Sequence, residues 1–116
     1  VPTDEEFMTL EMELGMSESE ANGTNFRGTD QGTQMKSSPE DSPSWDGTNT
    51  SGFSGLAGGC REDNGSFDGG GACGYFWSAS ASGTDAWERV LCDGWAEVYR
   101  YGTSQRYGFS VRCVRD

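Results

Sequence analysis

The sequence contains no histidine and no isoleucine, and it has only four leucines and five valines. Without histidine, the chain can form neither a Ser-His-Asp triad nor a Cys-His pair, nor a zinc site with histidine ligands. The few aliphatic side chains leave little material for an ordinary hydrophobic core. With a net charge of −11, this composition approaches that of disordered chains, so a folded domain needs another source of stability.

Basic residues are also scarce, with eight Lys and Arg against 19 Asp and Glu. Residues 1–46 contain 11 acidic side chains, and their only basic ones are Arg27 and Lys36. Because nucleic acids bind to basic surfaces, the composition argues against a nucleic-acid partner. No apolar stretch approaches the length that crosses a bilayer, so we predict no membrane span.

In place of aliphatic residues, the chain contains 14 aromatic residues, four cysteines and 18 glycines. Aromatic side chains bury large areas, and disulfides stabilise small domains whose cores are thin. The glycines predict many tight turns. The length of 116 residues fits a single domain, which we place at residues 1–116.

The N-terminal half carries helix signals. Thr3 and Glu6 form a capping box, and the same pattern at Ser17 and Glu20 predicts a second, shorter helix. The first helix has its apolar residues on one face: Phe7, Leu10 and Leu14. Residues 28–52 are small and polar and predict a long loop, in which Trp45 is expected to fold back onto the domain.

The C-terminal half carries strand signals. Asn64-Gly65 predicts a two-residue hairpin turn. Alternating residues predict four strands, in GYFWSAS, AWERVLCD, AEVYRYG and the terminal YGFSVRCVRD. The sequence therefore predicts an α+β domain in which N-terminal helices pack on a C-terminal antiparallel sheet.

The cysteines predict two disulfides, for which three pairings are possible. Cys60 and Cys73 flank the Asn64-Gly65 hairpin. Cys92 shares a strand face with Val90 and Cys113 shares one with Phe109, and two strands of one sheet can bring such side chains together. These positions favour Cys60–Cys73 and Cys92–Cys113. A four-cysteine zinc site is the weaker alternative, because the chain has no C-x-x-C pair.

The motifs VPTDEEF, RGTDQGTQMKS, SGFSGLAGGCRE, GYFWSAS, DAWERVL, VYRY and YGFSVRCVRD occur in this order. In this order they resemble the Fibrobacter succinogenes major paralogous domain, found in surface and secreted bacterial proteins. The resemblance implies a C-type lectin-like fold, distantly related to the formylglycine-generating enzyme group. It also implies an extracellular or cell-surface location. Where Cys60 stands, family members usually have a Tyr-like residue, which supports an additional disulfide to Cys73.

In C-type lectin-like folds the first and last strands lie side by side. The resemblance implies that this first strand is missing from the sequence, which begins just before the first helix. We therefore expect the terminal strand to present an unpaired edge, consisting of Tyr107, Phe109, Val111 and Cys113. A strand from another chain or another copy would pair with this edge, as in a filament or an adhesin.

A surface that binds sugars without a partner chain is the alternative. Aromatic rings stack on the C–H faces of sugars, and neighbouring polar groups fix their orientation. The candidates are Asp93, Trp95, Tyr99, Tyr101 and Arg106. Calcium is a weaker candidate, and its oxygen ligands would be Glu62, Asp63, Asn64 and Asp68. The favoured alternative is that these residues only form a polar hairpin.

Three sequons, at Asn22, Asn49 and Asn64, would carry glycans in a glycosylating host. No nucleophile or acid–base constellation accompanies the cysteines, so we expect neither an enzyme nor a cofactor. The sequence thus predicts a non-enzymatic extracellular module for surface adhesion or assembly.

Overall fold

The computed structural model describes residues 1–115 and gives an α+β domain, which confirms the predicted fold class. Its helices are α1 (Asp4–Glu13), α2 (Glu18–Ala21) and α3 (Gln31–Met35). Its strands are β1 (Asn25–Arg27), β2 (Cys60–Arg61), β3 (Phe67–Asp68), β4 (Cys73–Ser82), β5 (Asp85–Cys92) and β6 (Val98–Ser104). Among the described residues, no helix is long and apolar enough to cross a membrane.

Both predicted capping boxes are present. At the start of α1, the N–H of Glu6 donates to Oγ1 of Thr3 at 3.1 Å, and the N–H of Thr3 donates to Oε1 of Glu6 at 3.2 Å. Ser17 and Glu20 make the same two bonds at the start of α2. Because each box satisfies N–H groups that have no partner within the helix, local sequence fixes where both helices begin.

The main sheet is antiparallel, with the strand order β1-β6-β5-β4. Strands β4, β5 and β6 confirm three of the predicted strands. Strand β1 was not predicted, because three residues are too few to show an alternating pattern. Strands β2 and β3 form a separate hairpin. Its connection, residues 62–66, is longer than the predicted two-residue Asn64-Gly65 turn.

The helices cover one face of the main sheet. The buried apolar residues on this side form one cluster, consisting of Phe7, Met16, Ala21, Met35, Phe76, Leu91 and Val98. Trp45 packs against this cluster from the long loop, as predicted. The core is therefore small and rich in methionine and phenylalanine, in keeping with the scarcity of aliphatic residues.

Charged side chains are buried between α1 and the sheet, and we call them the ion-pair network: Asp4, Glu11, Arg27, Arg89 and Arg100. Oε1 of Glu11 lies 2.6 Å from Arg27, and its Oε2 lies 2.8 Å from Arg89. Asp4 lies 2.7 Å from Arg89 and 2.6 Å from Arg100. Since the three arginines belong to β1, β5 and β6, the network fastens one helix to three strands.

The arginines also set the charge state of Asp4. Burial alone would raise the pKa of this carboxyl. Hydrogen bonds and positive charges from Arg100 and Arg89 outweigh burial, so the pKa lies below its ordinary value of 3.8. Stability from this ion pair is therefore present above that pH and is lost as the pH falls further.

The disulfide joins Cys73 to Cys92, so both predicted pairings, Cys60–Cys73 and Cys92–Cys113, are wrong. Cys73 and Cys92 stand directly opposite each other on β4 and β5, with their Cα atoms 4.1 Å apart. Facing positions on neighbouring antiparallel strands bring two side chains together, which flanking a hairpin does not ensure. Cys60 is half-buried and Cys113 is exposed, and both are free in the described part of the chain.

Replacing Cys73 and Cys92 with serine is expected to lower the free energy of unfolding by about 3 kcal/mol, the loop-closure value for a loop of this length. Urea denaturation would measure the loss. Cys113→Ser is the control and should change little, because it leaves the disulfide intact. A non-reduced digest should contain Cys73 linked to Cys92, and a peptide linking Cys60 to Cys73 would contradict the structure.

The predicted terminal strand, Tyr107–Asp116, is not a regular strand in its described part, and Asp116 lies outside the described residues. Gly108 makes an isolated bridge to β2, and Ser110 makes one to the outer edge of β4. Because the two bridges go to different elements, the segment cannot run as a ladder beside either. Within residues 1–115, no backbone hydrogen bond joins residues 111–115 to another residue.

Candidate functional site

The sheet face turned away from the helices is rich in aromatic side chains, and we call it the aromatic face: Phe26, Tyr75, Trp77, Trp95, Tyr99 and Tyr101. The strand register places three of its side chains in a first row, together with Val90. Phe26 of β1 lies opposite Tyr99 of β6. Tyr99 lies opposite Val90 of β5, and Val90 lies opposite Tyr75 of β4. One row thus crosses all four strands.

A second row places a carboxyl group among the rings. Glu88 of β5 lies opposite Tyr101 of β6 on one side and opposite Trp77 of β4 on the other. Successive side chains of a strand point to opposite faces. Arg89 therefore joins the ion-pair network, while Glu88 faces the aromatic side.

The rings at one end of the aromatic face contact one another. Trp95 stacks on Phe26 with ring centroids 4.3 Å apart and planes 12° apart. Tyr99 meets Phe26 edge-on at 5.2 Å and lies 6.1 Å from Tyr101. Trp95 and Tyr101 remain 49% and 46% exposed, respectively. This end is therefore an ordered aromatic surface that is open to solvent.

The terminal segment covers the other end. The ring of Phe109 lies 5.3 Å from that of Tyr75 and 4.2 Å from that of Trp77. Tyr107 lies 5.9 Å from Phe109. Tyr107 and Phe109 were predicted as part of a strand-pairing edge, and they instead extend the aromatic surface.

A buried lysine holds the loop that carries Trp95. Nζ of Lys36 donates to the carbonyl oxygens of Cys92 and Trp95, both at 2.9 Å, and lies 2.8 Å from Oδ1 of Asp46. Oδ2 of Asp46 accepts from the N–H of Gly94 at 2.8 Å. Lys36 and Asp46 thus hold both ends of this loop in place, so Trp95 is preorganised for ligand binding.

Glu88 is buried without a charged partner. Its side chain is among the least exposed on this face, and within residues 1–115 its Oε2 has no hydrogen-bond partner. Burial raises the pKa of Glu88 to about 7, while a hydrogen bond with Thr103 acts in the opposite direction. At neutral pH this carboxyl is consequently close to half ionised.

A groove of about 280 Å³ runs across the first row. Its lining consists of Phe26, Tyr75, Glu88, Val90 and Tyr99. The groove therefore combines three ring systems with one carboxyl group, and the exposed ring of Trp95 adjoins it through Phe26.

The structure brings together three of the five predicted sugar-binding residues, namely Trp95, Tyr99 and Tyr101. Arg106 lies elsewhere, in a separate depression with Arg61 and Tyr107. Asp93 is exposed in the loop after β5, where its N–H donates to the carbonyl of Ala72.

Sequence analysis missed Phe26 and Glu88. The alternation of Glu88 with Arg89 could have placed Glu88 on the tyrosine face.

The predicted calcium ligands do not form an acidic cluster. Within residues 1–115, no group of three or more His, Cys, Asp or Glu side chains could hold a metal ion. Asn64 instead organises the β2–β3 connection, since its Oδ1 accepts from the N–H of Ser66 at 2.9 Å. Glu62 and Asp63 lie in the same connection, while Asp68 belongs to β3.

The three sequons differ in accessibility. Asn22 and Asn64 are exposed. The side-chain amide of Asn22 donates to the carbonyl of Glu18. The amide of Asn49 is engaged by Asp41 and Ser54, at 3.1 and 2.9 Å. An attached glycan would have to displace these bonds, so Asn49 is the poorest acceptor of the three.

Comparison with known proteins identifies the family but adds no relative. No curated protein and no solved structure matches the chain. The C-type lectin-like relation therefore stays a prediction. The model of the Fibrobacter succinogenes major domain matches residues 1–115, nearly the whole chain, and the protein therefore belongs to this domain family.

Proposed function

We propose that the domain is a non-enzymatic module of an extracellular or cell-surface bacterial protein, and that it adheres by binding saccharides on its aromatic face. The observation that carries this proposal is the ordered, exposed pair of rings at one end of that face, Trp95 and Tyr101. This surface favours the lectin-like alternative over the strand-completed assembly that the sequence suggested first.

Stacking is the chemistry that such a surface offers. A flat ring face covers the C–H face of a pyranose, and hydroxyl groups on neighbouring tyrosines orient the sugar. Trp95 is backed by Phe26 and its loop is fixed by Lys36, so little conformational freedom is lost when a sugar binds. Preorganised rings of this kind dominate binding energy in recognition surfaces.

The cysteines and the single carboxyl group of the groove support an extracellular module that does not catalyse a reaction. Disulfides such as Cys73–Cys92 persist in oxidising compartments. Burial and nearby acidic groups raise the pKa of Cys60, whereas catalytic thiols have lowered values. The groove contains one carboxyl group, Glu88, while glycoside hydrolysis uses a pair. These features favour binding without turnover.

Trp95→Ala is expected to weaken saccharide binding at least about tenfold, because a central Trp is worth roughly 2 kcal/mol or more in a recognition surface. A glycan array would identify the ligand, and titration calorimetry would measure the loss. Phe67→Ala is the matched control, since Phe67 is 83% exposed and belongs to β3, which is not part of the main sheet. Equal losses in both variants, or no saccharide binding at all, would contradict the proposal.

Assembly through strand pairing is the second candidate. It is favoured by residues 111–115, whose backbone has no hydrogen bond to other residues within 1–115, and by an open depression of about 430 Å³ beside β4. Val111 lines this depression. Sedimentation of the native material separates the two candidates. Large assemblies without glycan binding would favour strand pairing, and a glycan-binding monomer would contradict it.

A further inference from the structure

Three carboxyl groups are buried in the described chain, and one of them lacks a cation. Asp4 and Glu11 are each bonded by two guanidinium groups of the ion-pair network. Glu88 has no salt bridge within residues 1–115, and its Oε2 has no partner there. A buried carboxylate without a counter-ion is unfavourable, so a positive charge entering the groove would be stabilised.

The rest of the groove is also suited to a cation. The rings of Phe26, Tyr75 and Tyr99 line it, and ring faces carry partial negative charge that attracts cations. We propose that this groove binds the ammonium group of an organic cation, held between the ring faces and the carboxylate of Glu88. This inference goes beyond saccharide binding and does not depend on it.

The lining selects an organic ammonium ion over a metal ion. Calcium needs six to eight oxygen ligands, whereas the groove supplies one carboxyl group. An ammonium group with apolar substituents needs few ligands, since ring faces replace its weak hydration. A volume of about 280 Å³ is enough for a trimethylammonium group. Aromatic rings around one acidic group are the general arrangement for such ions.

Protonation of Glu88 should control this site. Within residues 1–115, the ionisable groups whose charges interact with Glu88 or that lie opposite it are acids, located in β2, β4, β6 and the terminal segment: Cys60, Tyr75, Tyr99, Tyr101 and Tyr107. None of them supplies a positive charge. A ligand of fixed charge should therefore bind best where Glu88 is ionised, above its pKa of about 7.

Choline and 3,3-dimethylbutan-1-ol form a matched pair of probes, because they have the same shape and only choline is charged. At about pH 8, the protein is expected to prefer choline by about tenfold or more. The affinity for choline should fall roughly tenfold between about pH 8 and pH 6, since choline keeps its charge while Glu88 gains a proton. Calorimetric titration would measure both effects.

Glu88→Gln should abolish the pH dependence and reduce the preference for choline to the part that the ring faces supply. Glu40→Gln removes the same charge from an exposed loop position and should preserve both. Equal binding of the two probes, or equal loss in both variants, would overturn the inference. Saccharide binding measured on the same variants shows separately whether the proposed function fails. Glucosamine and phosphatidylcholine vesicles then distinguish a sugar amine from a lipid headgroup as the carrier.

Discussion

Glu11→Gln is expected to lower the free energy of unfolding by about 3–5 kcal/mol, the cost of removing one partner from a buried ion pair. Glu11 is fully buried and forms ion pairs with both Arg27 and Arg89. The amide keeps the shape of the side chain but removes its charge. Arg27 would then lose the ion pair that it makes in the described chain, and Arg89 would keep only Asp4, which is also bonded to Arg100.

Glu13→Gln is the matched control for this variant. It makes the same chemical change on the same helix, but Glu13 is exposed, so we expect a change within about 0.5 kcal/mol. Urea denaturation at neutral pH would compare the two. Similar losses in both variants would show that the ion-pair network does not fasten α1 to the sheet.

Glu88→Gln is expected to stabilise the protein, whereas Glu11→Gln destabilises it. Above pH 7 it should raise the free energy of unfolding by about 3 kcal/mol. Burial raises the pKa of Glu88 from 4.5 to about 7 in the folded protein. Between these values the folded state holds a proton that the unfolded state has released. Stability therefore falls as the pH rises through this range, and the uncharged amide removes that fall.

Measured stability against pH would test this directly. The wild type should lose stability from about pH 5 to pH 8, and Glu88→Gln should be nearly flat there. The contribution of Asp4 does not interfere, because its lowered pKa places its loss below 3.8. If the free energy of unfolding of the wild type is the same at pH 8 as at pH 5, then Glu88 is not a buried carboxylate without a positively charged partner.

The parts of the fold that sequence predicted correctly depend on local signals. Capping boxes at Thr3 and Ser17 involve residues three positions apart, and strand alternation in β4 to β6 is visible in short windows. Tyr99 and Tyr101 share one face of β6 for the same reason, because they lie two positions apart on the strand. Local pattern, however, cannot tell which strand lies beside which.

The failures depend on register and burial. Cys73 faces Cys92 only because β4 and β5 pair with that alignment, which no short window reveals. The terminal segment divides its bridges between β2 and β4, although its sequence alternates like a strand. In α1, Asp4 and Glu11 share the face of Phe7, but a search for apolar residues ignores carboxylates. Their partners are arginines more than 15 positions away.

The central claim is that ligands bind to the aromatic face, and the indole N–H signals of the four tryptophans test it in one experiment. Trp95 and Trp77 lie on that face, while Trp45 packs on the core. Trp87 is on the helix side of the sheet, where its ring centroid lies 3.9 Å from Cζ of Arg100. On titration with a saccharide identified by the glycan array, followed by ¹⁵N–¹H NMR, we predict that the Trp95 signal moves most. The signals of Trp45 and Trp87 should stay in place. Larger shifts at Trp45 or Trp87 than at Trp95 would contradict the account.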